Sequence, residues 1–144
     1  MPNGPELKAA DLIRDGGFED SGSSPLFYSF VAEQQNEDGS ESKLAGYTIS
    51  FYAFSTWQGK SFFLEDLYVR PESRKTGIGK KLFQANVNFA IEQNCSRFDF
   101  HVLNWNPAKK FYESLGAKNL TEAEGWEFYR LTRPEMDRLA ANNQ

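Results

Sequence analysis

The sequence predicts a single α/β domain, and three observations carry that reading. Leu26–Glu33, Leu44–Phe54 and Ser61–Val69 read as strands, separated by turn-forming residues. A glycine-containing loop, Arg74-Lys75-Thr76-Gly77-Ile78-Gly79, follows the third of them. Ile78, Leu82, Ala85 and Phe89 then recur at helical spacing, which gives the stretch through Gln93 one buried face. At 144 residues the chain is long enough for one core, and neither a repeat nor a second core interrupts it.

Each element has a local reason. Met1–Ser24 is polar and glycine-dotted, with one short helical candidate around Leu7–Ile13. Gln34–Lys43, which contains Asn36-Glu37-Asp38-Gly39-Ser40, is a turn by composition. Gln58-Gly59 turns the second strand into the third. Arg97–Leu103 reads as a fourth strand, and Pro107 opens a short helix through Leu115, since proline is tolerated in a first turn. Gly116 closes that helix as a left-handed cap. Trp126–Leu131 reads as a last strand, and Pro134 begins a terminal helix.

The loop before the long helix is the most informative stretch. Two glycines at a helix entrance let backbone approach a ligand without a Cβ in the way. Amides of a first helical turn lack intrahelical partners and sit at the positive end of the helix dipole, so they favour an anion, phosphate above all. Arg74 and the Lys80-Lys81 pair add cationic side chains. Two rival phosphate loops fail. The nucleotide-triphosphate loop requires glycine where Arg74 stands and Ser or Thr where Lys81 stands. The dinucleotide fingerprint requires glycine where Leu82 stands. An ordinary helix entrance, without a ligand, fits the glycines equally well.

Arg-x-x-Gly-x-Gly after an apolar strand resembles the acetyl-CoA diphosphate loop of the GNAT N-acetyltransferase superfamily. Within it the chain is similar to the spermidine/spermine (diamine) and thialysine acetyltransferase branch. The matching stretches are Ser55-Thr56-Trp57-Gln58-Gly59-Lys60, Leu64-Glu65-Asp66-Leu67-Tyr68-Val69, Asn104-Trp105-Asn106, Phe111-Tyr112-Glu113-Ser114-Leu115-Gly116-Ala117 and Leu120-Thr121-Glu122-Ala123-Glu124-Gly125-Trp126. They run in the family's order from about Leu26 to Leu131. The resemblance implies a mixed, mostly antiparallel twisted sheet of about five or six strands with helices on both faces. It also implies a strand and one or two helices ahead of Leu26, where about two dozen residues stand. The expectation is therefore one GNAT domain over 1–144, with 1–24 a shortened or irregular N-terminal segment.

The same resemblance implies acetyl-CoA as cofactor and a small cationic amine as substrate. Leu67, Tyr68 and Val69 would meet the pantetheine arm and the thioester carbonyl through backbone amides; their other reading is ordinary pairing within the sheet. Arg74, Lys75, Thr76, Gly77, Ile78, Gly79 and Lys80 would cradle the diphosphate. Asn106 and Pro107 match further coenzyme A contacts, although the chain is one residue shorter than the branch pattern between Asn106 and Phe111. Glu65 is implied as a water-linked base and Asp66 as a contact for the substrate amine. Adjacent acids in a strand point to opposite faces, so an exposed edge pair is the alternative. Tyr112 is implied as the acid that protonates the departing thiolate; taken alone, Phe111-Tyr112 also reads as a core aromatic pair. Trp57, Asp99, His101 and Glu124 join the substrate side only through the resemblance. By chemistry alone they are solvated or packing residues.

Composition narrows the field further. A net charge of −4 argues against a nucleic-acid binder and suits a cationic substrate. The single cysteine, Cys95, excludes an internal disulfide, and the single histidine, His101, cannot build a zinc site. No leader pattern and no apolar run of membrane-spanning length is present, so the expected setting is cytoplasmic without membrane contact. A homodimer is expected from the branch. The competing class is a non-catalytic coenzyme A-binding or interaction module that has lost its amine pocket.

Overall fold

The computed structural model of the chain describes residues 7–19, 24–35 and 42–141. They fall into two compact units, 1–101 and 102–144. The first holds helix α1 (Ala9–Asp15), strands β1 (Tyr28–Gln34), β2 (Lys43–Ser55) and β3 (Gly59–Val69), a short 3₁₀ turn at Pro71–Ser73, helix α2 (Ile78–Glu92) and strand β4 (Arg97–Phe100). The second holds helices α3 (Ala108–Ser114), α4 (Leu120–Glu124) and α5 (Arg133–Ala141).

The sheet runs β1-β2-β3-β4, antiparallel across its first two pairs and parallel between β3 and β4. A parallel pair needs a crossover, and α2 supplies it. Helix α2 lies on one face of the sheet, where Leu82, Phe83, Asn86 and Ala90 are buried. Phe89 packs its ring 5.3 Å from both Tyr28 and Phe62 and 5.6 Å from Phe30. Phe83 meets Phe98 and Phe100 edge-on at 5.3 and 5.5 Å. Phe62 is fully buried there, a burial that contributes about 2–3 kcal/mol. The predicted helix face holds at Leu82 and Phe89 but is broader than expected: Asn86 is buried beside a half-buried Ala85, because polar groups on β2 receive it.

Among the described residues the sheet has four strands, not five or six. The fourth stops at Phe100, three residues short of the expected end. Trp126–Leu131 alternates like a strand but adopts none, because the pattern alone does not satisfy a backbone ladder. A helix that the sequence reading left out, α4, ends just before it. Asn119 caps α4 by accepting the Thr121 N–H at 3.2 Å, and Gly125 ends it in the left-handed region at φ 76°. Of the turn expected over Gln34–Lys43, residues 36–41 lie outside the described residues, while Gln34 and Lys43 pair in the β1–β2 ladder; residues 1–6 and 20–23 of the N-terminal segment also lie outside.

Candidate active site

Strand β3 is paired with β4 only from Ser61 to Leu64, yet it continues to Val69. The last five residues therefore have β2 on one side and no β4 partner on the other. The phase of the β2–β3 ladder decides which amides face that open edge. Arg70 N–H bonds the Ala45 carbonyl at 2.9 Å, one step beyond the Gly46–Val69 pair. Alternation along an antiparallel ladder then turns Tyr68 toward β2 and turns Leu67 and Val69 away from it. Arg74 provides an independent check, because its Nε donates to the Val69 carbonyl at 3.0 Å. Leu67 and Val69 thus present backbone amides along the open edge, while the Tyr68 amide is spent on β2.

The acids sit where this edge begins. Ile49 pairs with Asp66 and Ser50 with Leu64, so Glu65 is the extra residue of a β-bulge. A bulge interrupts strict alternation and re-aims side chains; both carboxylates are exposed. Beside Asp66, Tyr47 and Tyr68 pack with ring centroids 5.7 Å apart. Burial pushes the Tyr47 phenol up, with a smaller contribution from the Asp66 carboxylate.

The loop at the start of α2 is built for close approach. Gly77 holds φ 88°, a left-handed conformation that glycine adopts without strain. Lys75 holds φ 63°, and Thr76 fixes the turn by donating its hydroxyl to the Ser73 carbonyl at 2.7 Å. The first α2 amide bonded back into the helix is that of Lys81, to Gly77. The amides of Ile78, Gly79 and Lys80 precede it and have no such partner. A Cβ placed on Gly79 would lie 3.7 Å from Val69 Cγ2 and 3.9 Å from Leu67 Cδ2. The first turn of α2 therefore lies against the Leu67 and Val69 side chains at the open end of β3.

The remaining expected substrate residues of this unit are set differently. Trp57 lies at the tip of the β2–β3 hairpin, 82% exposed, with its N–H on Ser55 Oγ at 3.3 Å. Asp99 is engaged by Arg97 Nε at 2.7 Å, so its carboxylate already has a cation. His101 follows β4 and meets Phe63 edge-on at 4.9 Å.

In the second unit Asn106 Oδ1 accepts the Ala108 N–H at 2.9 Å, and Pro107, at φ −62° and ψ −16°, is preset for the helix that follows. Tyr112 stands in α3, half-buried, with its ring 5.1 Å from Phe111. Burial pushes its phenol up, so it keeps its proton through neutral pH. Gly116 at φ 92° sends its N–H to Glu113, and the Ala117 N–H reaches Tyr112 O at 3.2 Å, a left-handed helix stop that fixes this turn. Glu124 ends α4 and accepts the Trp126 indole N–H at 2.7 Å.

With this geometry in place, the comparisons with known proteins are decisive for ancestry. Residues 5–117 match the acetyltransferase (GNAT) family. The chain belongs to the GNAT acetyltransferases. It is 40% identical over 133 residues to the thialysine N-epsilon-acetyltransferase of Sus scrofa, covering 90% of this chain and 76% of that protein. It is 37% identical to the human spermidine/spermine N(1)-acetyltransferase-like protein 1, covering 91% of this chain and 19% of that longer one. Among solved structures, an integron cassette protein from the mobile metagenome of V. cholerae shares the fold. Its TM-score is 0.66 at 24% identity, over 91% of this chain and 88% of that one. The sheet with its splayed β3 is thus the GNAT fold, and the chain is an acetyltransferase. Among the described residues, no helix is long and apolar enough to cross a membrane.

Two features escaped the sequence reading. The bulge at Glu65 leaves no mark in a single sequence beyond the two adjacent acids. The other is a buried polar cluster. Asn86 accepts from Ser50 Oγ at 2.7 Å and donates to Thr48 Oγ1 and to the Leu82 carbonyl, each at 2.8 Å. Its signal was available: an Asn on the apolar face of α2, and polar residues two apart on the same face of β2.

Proposed function

We propose that this chain moves the acetyl group of acetyl-CoA to a primary amine of a small cationic substrate. Thialysine or a lysine-like amino acid comes first, a diamine or polyamine second. The observation that carries the proposal is the open edge of β3. Its Leu67 and Val69 amides face that edge, and the side chains of the same two residues approach Gly79 in the first turn of α2. The fit to the cofactor rests on that unpaired edge, and on three helix-end amides flanked by Arg74, Lys75 and Lys80, where Gly79 presents no Cβ. Bound there, acetyl-CoA supplies an acyl thioester. The Ile78, Gly79 and Lys80 amides would hold its diphosphate. The Leu67 and Val69 amides would orient the arm and polarise the carbonyl.

Alkylamines are protonated at neutral pH, so a proton must leave the ammonium before attack. Glu65 Oε would take it through a water, the exposed bulge giving the carboxylate access to solvent. By the family resemblance alone, Tyr112 of the second unit is proposed as the acid that returns a proton to the thiolate; burial pushes its phenol further up. Asp66, beside the Tyr47–Tyr68 pair, supports a contact with an ammonium group. The names of the relatives support the same substrate class. Asp99, already paired with Arg97, has the weakest support among the proposed substrate contacts. A homodimer belongs to this reading too: β1 is an edge strand, with Val31 56% exposed on it, and a second copy would cover it.

The test is thiol release from acetyl-CoA with thialysine, spermidine, putrescine and a histone-type peptide as acceptors. Turnover on thialysine above the others supports the proposal. Tight coenzyme A binding with no turnover on any amine would instead make the chain a coenzyme A-binding module. Equal rates on peptide and thialysine would overturn the substrate class.

A further inference from the structure

We propose that Asn86 is a positioning residue for acetyl transfer: it holds the bulge of β3 in fixed register with the loop that opens α2. The inference rests on the acetyl-transfer reading above. Asn86 is fully buried, as are its partners Thr48 and Ser50, beside the buried apolar side chains of Phe62, Leu64, Leu82 and Ala90. Placing three polar side chains there has a desolvation cost that apolar residues of similar size would avoid. Their directional bonds provide something that apolar contacts do not, a single allowed alignment.

The alignment concerns the residues proposed to bind and react. Ser50 pairs with Leu64 and Thr48 with Leu67, so the two hydroxyls bracket the stretch of β3 that contains Glu65 and Asp66. One amide group grips β2 opposite both ends of the bulge. Its third bond, to the Leu82 carbonyl one turn back, locks the side chain to its own helix. Two turns toward the N-terminus of that helix, about 12 Å at 1.5 Å per residue, lie Ile78 and Gly79. Thr48 also stands opposite Leu67, whose amide faces the open edge. A shift of β2 on α2 would therefore move the Leu67 amide relative to the diphosphate loop, and the cluster opposes that shift.

Three variants separate positioning from stability: Asn86→Leu, the triple variant Thr48→Val/Ser50→Ala/Asn86→Leu, and Ser50→Ala with Ser50→Thr as its conservative rescue. Asn86→Leu alone leaves two buried hydroxyls unsatisfied and should unfold at lower temperature. The triple variant removes every orphaned group and should recover most of that loss. The expected result is a triple variant of near-native thermal stability whose kcat is down about 10- to 100-fold, as for small misplacements of reacting groups. The amine KM should change little, and the Leu67 and Val69 amide resonances of the labelled protein should broaden or double. A triple variant with native stability, native kcat and sharp native resonances would overturn the inference. Should it fail to fold, Ser50→Ala assayed well below its own unfolding temperature decides. Reduced kcat restored by Ser50→Thr supports positioning, and kcat equal to wild type overturns it. If the wild type itself turns over no amine, the functional reading fails, while the resonances still report whether the cluster holds the strand.

Discussion

Replacing Gly79 with alanine should make the protein more stable and a poorer binder of coenzyme A. Gly79 is the second residue of α2, and its φ is not in the left-handed region, so alanine enters without backbone strain. The new methyl group would meet Val69 Cγ2 at 3.7 Å and Leu67 Cδ2 at 3.9 Å, ordinary van der Waals contact. Exchanging glycine for alanine in a helix is favourable by up to about 0.5–1 kcal/mol, less in the first turn. For a domain of this size that corresponds to a rise in Tm of about 1–4 °C. The same methyl stands beside the helix-end amides, in the space between Gly79 and the Val69 and Leu67 side chains. Losing one charge-assisted hydrogen bond to the diphosphate costs about 1.5–3 kcal/mol, which weakens Kd at least tenfold. Differential scanning fluorimetry and calorimetric titration with coenzyme A, both on the unlabelled full chain, read the two effects. An unchanged Kd with a raised Tm would show that the diphosphate does not use this space. A lowered Tm would show that the space beside Gly79 is not available to a methyl group.

Gly46→Ala should do the reverse, because its Cβ would fall 2.6 Å from the Tyr68 carbonyl and 3.1 Å from Leu82 Cδ1. The β2–β3 ladder must part there, at a cost of about 1–3 kcal/mol measured by urea denaturation. Ser61→Ala should leave the denaturation midpoint unchanged or raise it, since Ser61 Oγ is buried with no hydrogen-bond partner among the described residues. Tyr52 carries a phenol pushed up by burial and by Tyr28 beside it. The fold thus favours the neutral form, and that contribution is whole below the unfolded value of about 10 and lost as pH rises through the folded one. Stability measured across alkaline pH should fall, and Tyr52→Phe should flatten the fall. Glu65→Gln should reduce kcat/KM most at the acidic end of the pH profile, where removing the amine proton is hardest; a uniform loss across pH would remove Glu65 as base.

How much of this was legible in the sequence depends on the kind of feature. Periodicity and turn chemistry located β1 to β3, α2, α3 and the Gly116 stop, because each is set by side chains within a few residues of one another. Family motifs then located the loop and the acids. Trp126–Leu131 shows where pattern fails. Its alternation is as good as that of β1, but a strand exists only if another backbone pairs with it, and pairing is a property of distant residues. The missed α4 errs in the other direction: Asn119 and Gly125 bracket it with cap chemistry that local reasoning can read.

The bulge marks the boundary between what the sequence specifies and what only pairing reveals. Two adjacent acids in a regular strand must point to opposite faces, and the sequence reading weighed Glu65 and Asp66 on that basis. The extra residue at Glu65 suspends the rule. It also changes which following amides face outward, since inserting one residue shifts the ladder's phase. Without the bulge, the alternation set by Arg70 and Ala45 would reach the Ser61–Leu64 stretch out of step by one residue. The exposed acids and the outward amides of Leu67 and Val69 are then two consequences of one insertion. A deletion of Glu65 should therefore do more than remove a base: it should misalign β3 against β4 or turn its outward amides inward, abolishing coenzyme A binding, whereas Glu65→Gln should leave that binding intact. Coenzyme A affinity lost equally in both variants would show that the carboxylate, and not the extra residue, maintains the edge.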